Sequence, residues 1–159
     1  MYVTHLNGDA IMFATVLDHF ATPPCAKLLG LDISDAKPND GWVRIRFEAR
    51  PEFCNASGNV QGGILAAMLD DTMCPAVLIT THAETLPTTI DMHVSYLAPA
   101  VPGPLIGEAM VVQLGKTVGF VEARLADERG LIVARATASV RLVPLAKAMA
   151  RHVEGAVAA

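Results

Sequence analysis

The residues best suited to chemistry are two adjacent carboxylates, Asp70 and Asp71, inside an otherwise apolar segment. The apolar residues of this segment, from Ile64 to Thr80, are not confined to one stripe, which predicts a helix buried nearly all round with a sheet wrapped about it. At about 100° per residue, Asp70 shares one narrow face with small residues, and Asp71 lies about 100° further round. That narrow face comprises Gly63, Ala66, Ala67, Asp70 and Cys74. We therefore expect Asp70 to act on a ligand and Asp71 to be a structural or exposed acid.

A pair of glycines, Gly62 and Gly63, stands at the start of the predicted helix. The first N–H groups of a helix have no internal partner and lie at the positive end of its dipole, so they suit a developing oxyanion, and glycine lets a ligand approach them. Gly62 lies roughly 12 Å from Asp70 along the helix axis at about 1.5 Å per residue. One carbonyl group cannot easily contact both, which predicts that Gly62 of one subunit faces Asp70 of the partner subunit. The alternative is an ordinary Gly-Gly turn before a core helix, with both acids solvated or capping.

These residues form part of a longer pattern. Asn55, Gly58, Gln61, the glycine pair and Asp70 together resemble the signature of the hotdog-fold acyl-CoA thioesterases of the phenylacetate-degradation (PaaI-like) type. In that signature, Asn-x-x-Gly-x-x-His-Gly-Gly is followed by an acid seven residues after the second glycine. The resemblance continues through residues 89–97, 99–100 and 115–117, and it covers roughly residues 28–142. Gln61 departs from it, because the family usually has His at this position.

The resemblance implies a fold and a reaction. The fold would be α+β, with an antiparallel sheet wrapped around one long central helix, and the reaction would be hydrolysis of an acyl-CoA thioester. Asp70 would act as nucleophile or general base, and the Gly62 N–H would polarise the thioester oxygen. Asn55 and Gln61 would bind the carbonyl, the water or the loop, although Gln cannot titrate as His does. Thr89 would hold the attacking water, or it is an ordinary strand threonine.

A second group of residues matches positions that contact coenzyme A in this family. The group consists of Gly63, Tyr96, Gly115, Lys116 and Thr117. Lys116 could bind a phosphate, and otherwise it is a solvated turn lysine. Coenzyme A would enter as part of the substrate, so no separate cofactor is expected. A site shared between two chains requires a homodimer at least, and we expect a homotetramer.

Composition limits the classes of protein that remain. The chain has 159 residues, enough for one domain over 1–159, and it is 52% hydrophobic and 18% charged. This excess of apolar residues predicts surface buried between subunits, because the two acids split the longest apolar run and no membrane span is expected. A formal net charge of −4 argues against nucleic-acid binding. Three cysteines without metal-like spacing and the lack of an evident secretion signal predict a cytoplasmic protein. The histidines are scattered, so no metal site is expected.

The remaining patterns give an order of elements. We expect an N-terminal helical segment over about 9–29, broken at Pro23 and Pro24, and a short C-terminal tail over about 144–159. Pro75 should kink the long helix or cost it one hydrogen bond. Alternation of side chains and turn signals predict strands over 42–48, 88–97, 105–113, 118–126 and 131–142.

Two other functions are compatible with the same fold. A hotdog dehydratase or hydratase would need a catalytic His paired with an acid, and neither the helix nor the loop before it supplies one. A non-hydrolytic acyl-CoA-binding protein is disfavoured by Asp70 but left open by Gln61. Aryl, phenylacetyl-like and medium-chain acyl groups all suit an apolar pocket between subunits.

Overall fold

A six-stranded sheet and a long helix dominate residues 21–148 and 150, the part of the chain that this computed structural model describes. The predicted helix over 9–20 and the end of the predicted tail lie outside the described residues. In chain order the elements are α1 (Pro24–Leu29), β1 (Asp32–Lys37), β2 (Trp42–Ala49), α2 (Gly62–Thr80), β3 (Thr85–Tyr96), β4 (Gly103–Leu114), β5 (Val118–Asp127) and β6 (Ile132–Pro144).

All neighbouring strands of the sheet are antiparallel, in the order β1-β2-β4-β5-β6-β3. Strand β2 shows why one face of the sheet is buried: Val43, Ile45 and Phe47 are fully buried, while the residues between them are exposed. Helix α2 packs on that buried face. The predicted α+β architecture, an antiparallel sheet around a long helix, is therefore confirmed.

Helix α2 is not buried all round, contrary to the prediction. The side that packs on the sheet includes Leu65, Met68, Leu69, Thr72, Met73 and Ala76. The small-residue face defined above, from Gly63 to Cys74, stays partly or fully exposed because the sheet covers only the other side of the helix. By length and composition alone, α2 could cross a membrane, but half of its most apolar window is buried against the sheet.

Two prolines lie inside regular elements. Strand β3 begins at Thr85, earlier than predicted, and therefore contains Pro87. It tolerates the proline because β3 is an edge strand, where one side of the backbone needs no ladder hydrogen bonds. Helix α2 continues through Pro75 to Thr80, and the Asp71 carbonyl loses the N–H donor that any other residue at position 75 would supply.

Candidate active site

Asp70 is held by a residue of the edge strand. The Thr89 hydroxyl donates a hydrogen bond to Oδ1 of Asp70 at 2.7 Å. Asp70 lies at the middle of α2 on the small-residue face, and its side chain is half-buried. Among the described residues, its second oxygen has no hydrogen-bond partner, so it can accept a proton from water or attack a carbonyl carbon. The structure thus brings together two of the predicted site residues.

Gly62 begins α2 and lies against Tyr96, the last residue of β3. The Tyr96 hydroxyl donates a hydrogen bond to the Gly62 carbonyl oxygen at 3.0 Å. A Cβ at position 62 would lie 3.2 Å from Cζ of Tyr96, so the tyrosine ring occupies the space that a side chain would need. Strand β3 therefore contacts α2 at two places, through Thr89 at the acid and through Tyr96 at the helix start.

The loop before α2 contains Asn55 and Gln61. Oδ1 of Asn55 accepts hydrogen bonds from the N–H groups of Ser57 and Asn59, at 2.9 and 3.3 Å, so this oxygen shapes the loop. Gln61 is the residue before the first turn of α2, and its exposed side chain does not cap the helix. The Gln61 N–H donates to the Phe53 carbonyl at 2.8 Å, which fixes the loop against the helix start.

The predicted coenzyme A residues Gly115, Lys116 and Thr117 lie in the turn between β4 and β5. Within the described part of the chain, no hydrogen bond joins them to Asp70 or Gly62, whose bonds to side chains come from Thr89 and Tyr96. Thr117 instead lines a cleft of about 270 Å³ whose wall includes the cations Arg141 and Lys147. Sequence reasoning missed these two cations, because their approach to Thr117 depends on the pairing of β5 with β6, which the alternation of side chains does not fix.

Asp71 lies in a less favourable environment for a carboxylate. Its Oδ2 is buried and has no hydrogen-bond partner among the described residues. Burial, followed by the charge of Asp70, raises the pKa of Asp71 above its usual value. Burial, with contributions from Asp71 and Asp70, raises the pKa of the Cys74 thiol to about 12, which keeps this thiol protonated and unreactive at neutral pH.

Replacing Asp71 with Asn should stabilise the protein at neutral pH. An acid whose pKa is higher in the folded than in the unfolded state stabilises the protein at pH values below the unfolded pKa. This stabilisation is lost as the pH rises through the folded pKa. Asp71→Asn cannot ionise, so its free energy of unfolding should exceed that of the wild type by up to about 1 kcal/mol at pH 7. Urea unfolding at pH 7 and pH 4 measures the difference. An equal gain at both pH values would contradict this account.

The chain is similar to known proteins in sequence and in fold. The thioesterase superfamily model matches residues 57–134. A phenylacetic acid degradation-related protein from Ralstonia eutropha JMP134 is 32% identical, with a TM-score of 0.76, and the match covers 82% of this chain and 98% of that protein. The PaaI protein from the phenylacetic acid degradation operon of E. coli has the same fold, with a TM-score of 0.73 at 20% identity, over 87% of this chain and 96% of that one.

Human acyl-coenzyme A thioesterase 13 is 29% identical over 89 residues, which are 55% of this chain. The chain spans 63% of the length of that relative. The Ralstonia protein, by contrast, is matched over almost its whole length at 32% identity. With the fold described above, these similarities establish that the chain belongs to the thioesterase superfamily and has its hotdog fold.

Proposed function

We propose that the protein hydrolyses acyl-CoA thioesters to a free acid and coenzyme A. The observation that carries this proposal is the Asp70 carboxylate, fixed by Thr89 at 2.7 Å on the partly exposed small-residue face of α2. A carboxylate in an apolar helix is costly unless it is paired or used, and here one oxygen remains available for chemistry. The thioesterase named among the relatives acts on acyl-coenzyme A, which supports the same substrate class for this chain.

The reaction breaks the bond between the acyl carbon and the sulfur. Either Asp70 takes a proton from a water molecule that attacks the acyl carbon, or Asp70 attacks directly and water then releases the acid. In both cases the leaving coenzyme A thiolate takes up a proton. Negative charge develops on the acyl oxygen, and the Gly62 N–H at the positive end of the α2 dipole stabilises it. Thr89 orients the carboxylate in both mechanisms.

The active site would need two chains. Gly62 lies at the start of α2 and Asp70 lies at its middle, and β3 contacts each of them through a different residue. Strand β3 is also an edge of the sheet, and Ile90 on it is 57% exposed. A partner that pairs with this edge would cover Ile90 and bring its own helix to the small-residue face. We therefore propose a homodimer as the minimum active form, assembled further into a homotetramer. Sedimentation equilibrium tests this assembly, and an active monomer would contradict the two-chain site.

Coenzyme A carries phosphates, and the cleft beside Thr117 suits them. Arg141 and Lys147 line this cleft, and Lys116 is exposed in the neighbouring turn. In the pairing of β3 with β6, Arg141 lies opposite Thr88, which is the residue before Thr89. The cations therefore lie beside the strand that fixes the acid, where they can bind the phosphates of a long substrate.

The test is release of free thiol from phenylacetyl-CoA, benzoyl-CoA and octanoyl-CoA by the wild type. We expect turnover of at least one ester, and the ratios of kcat/KM would rank the acyl groups. A second candidate function is non-hydrolytic acyl-CoA binding, which the exposed Gln61 favours because glutamine cannot transfer a proton. A folded wild type that binds these esters but releases no thiol would support binding and overturn hydrolysis.

A further inference from the structure

The hydrogen bond between Tyr96 and Gly62 acts on a peptide group at the start of α2. The Gly62 carbonyl belongs to the same planar unit as the Gly63 N–H, so the orientation of one fixes the orientation of the other. The carbonyl has two lone pairs, of which the helix uses one and the Tyr96 hydroxyl takes the second at 3.0 Å. Hydrogen bonds in a chain polarise one another, so a carbonyl that accepts two bonds makes its N–H a stronger donor.

The two glycines differ in how open they are to a ligand. Gly62 is shielded by the Tyr96 ring, which lies within 3.2–3.4 Å of the place where a Cβ would be. Gly63 is exposed, and nothing lies within 4 Å of its own Cβ position. Neither N–H has a backbone acceptor among the described residues, as expected in a first helical turn. Of the two residues that carry these donors, Gly63 is therefore the more exposed.

From these contacts we infer that Tyr96 is a positioning residue, which orients and polarises the Gly62–Gly63 peptide so that the Gly63 N–H serves as a second donor to the thioester oxygen. This inference rests on the proposed thioesterase function and adds a donor and its support to that site. It also gives Tyr96 a role within its own chain that is separate from contact with coenzyme A. The 54% exposure of Tyr96 means that loss of its hydroxyl should not unfold the protein.

The experiment compares Tyr96→Phe with the wild type. Ser139→Ala is the matched control, because it also removes one hydroxyl from the sheet, in this case one bonded to Asp91 at 3.0 Å. Loss of one hydrogen bond that acts in the transition state should lower kcat about tenfold in Tyr96→Phe and leave KM within about twofold. The control should keep both constants. In the ¹H–¹⁵N NMR spectrum, the Gly63 amide signal should move in Tyr96→Phe only.

Each failure has a separate signature. An unchanged kcat, or a change confined to KM, would show that Tyr96 only binds coenzyme A and would overturn the inference. An unmoved Gly63 amide signal would overturn it as well, even in an active enzyme. Absence of thiol release from the wild type would instead overturn the proposed function, together with the inference that rests on it, whatever the NMR spectrum shows.

Discussion

Replacing Asp70 with Asn should reduce the release of thiol from acyl-CoA esters by at least about 100-fold. The asparagine side chain can keep the hydrogen bond from Thr89, because its carbonyl oxygen also accepts a hydrogen bond. The local structure should therefore persist. It can neither take a proton from water nor attack a carbonyl carbon. The loss should therefore appear in kcat, with a smaller change in KM. Steady-state kinetics with the best ester of the panel measure both constants.

Asp71→Asn is the matched control for this experiment. It makes the same chemical change one residue along the same helix, at an acid that lies about 100° round the helix from the small-residue face. We expect its kcat to stay within about threefold of the wild type. Equal losses in the two variants would contradict the assignment of Asp70, because they would show that the loss does not depend on which of the two carboxylates is removed. Retention of activity in Asp70→Asn would exclude the carboxylate from both proposed mechanisms.

The sequence predicts this acid because local patterns carry the necessary information. Helical spacing places Asp70 and Asp71 on different faces of the helix without any knowledge of the sheet. In the same way, the alternation of apolar and polar residues along β2 indicates which of its faces is buried. The glycine pair at the helix start is equally local. For the same reason, the bounds of α2, β2 and β5 are predicted to within about two residues.

The pairings across the fold are not local, and the sequence does not fix them. The contact of Thr89 with Asp70 depends on the register of β3, which shifts between Thr89 and Asp91. Because side chains alternate along a strand, such a shift decides which of them face the helix. The position of Tyr96 beside Gly62 follows from the same register. Family resemblance supplied Thr89 and Tyr96 as candidates, and only the folded chain shows what each one contacts.

Replacing Gly107 with Ala should destabilise the protein by about 1–3 kcal/mol, because the core has no room for the methyl group. Gly107 lies in β4 beneath α2, and a Cβ there would be 2.5 Å from Oγ1 of Thr72 and 3.0 Å from Cε2 of Phe47. Thr72 cannot easily turn away, since it is fully buried and its hydroxyl bonds the Met68 carbonyl at 2.6 Å. Either the sheet or α2 must move. Urea unfolding measures the loss.

Two further variants show whether crowding is the cause. Gly63→Ala makes the same change where nothing lies within 4 Å, so it should leave stability unchanged or raise it by up to about 1 kcal/mol. Thr72→Ala combined with Gly107→Ala removes the closest atoms, and the double variant should be more stable than the sum of the two single losses predicts. Strict additivity would contradict a direct clash. Thr72 lies within one helical turn of Asp70, so a shift of α2 in Gly107→Ala should also lower kcat. Gly107 in β4 therefore helps to place the Asp70 carboxylate.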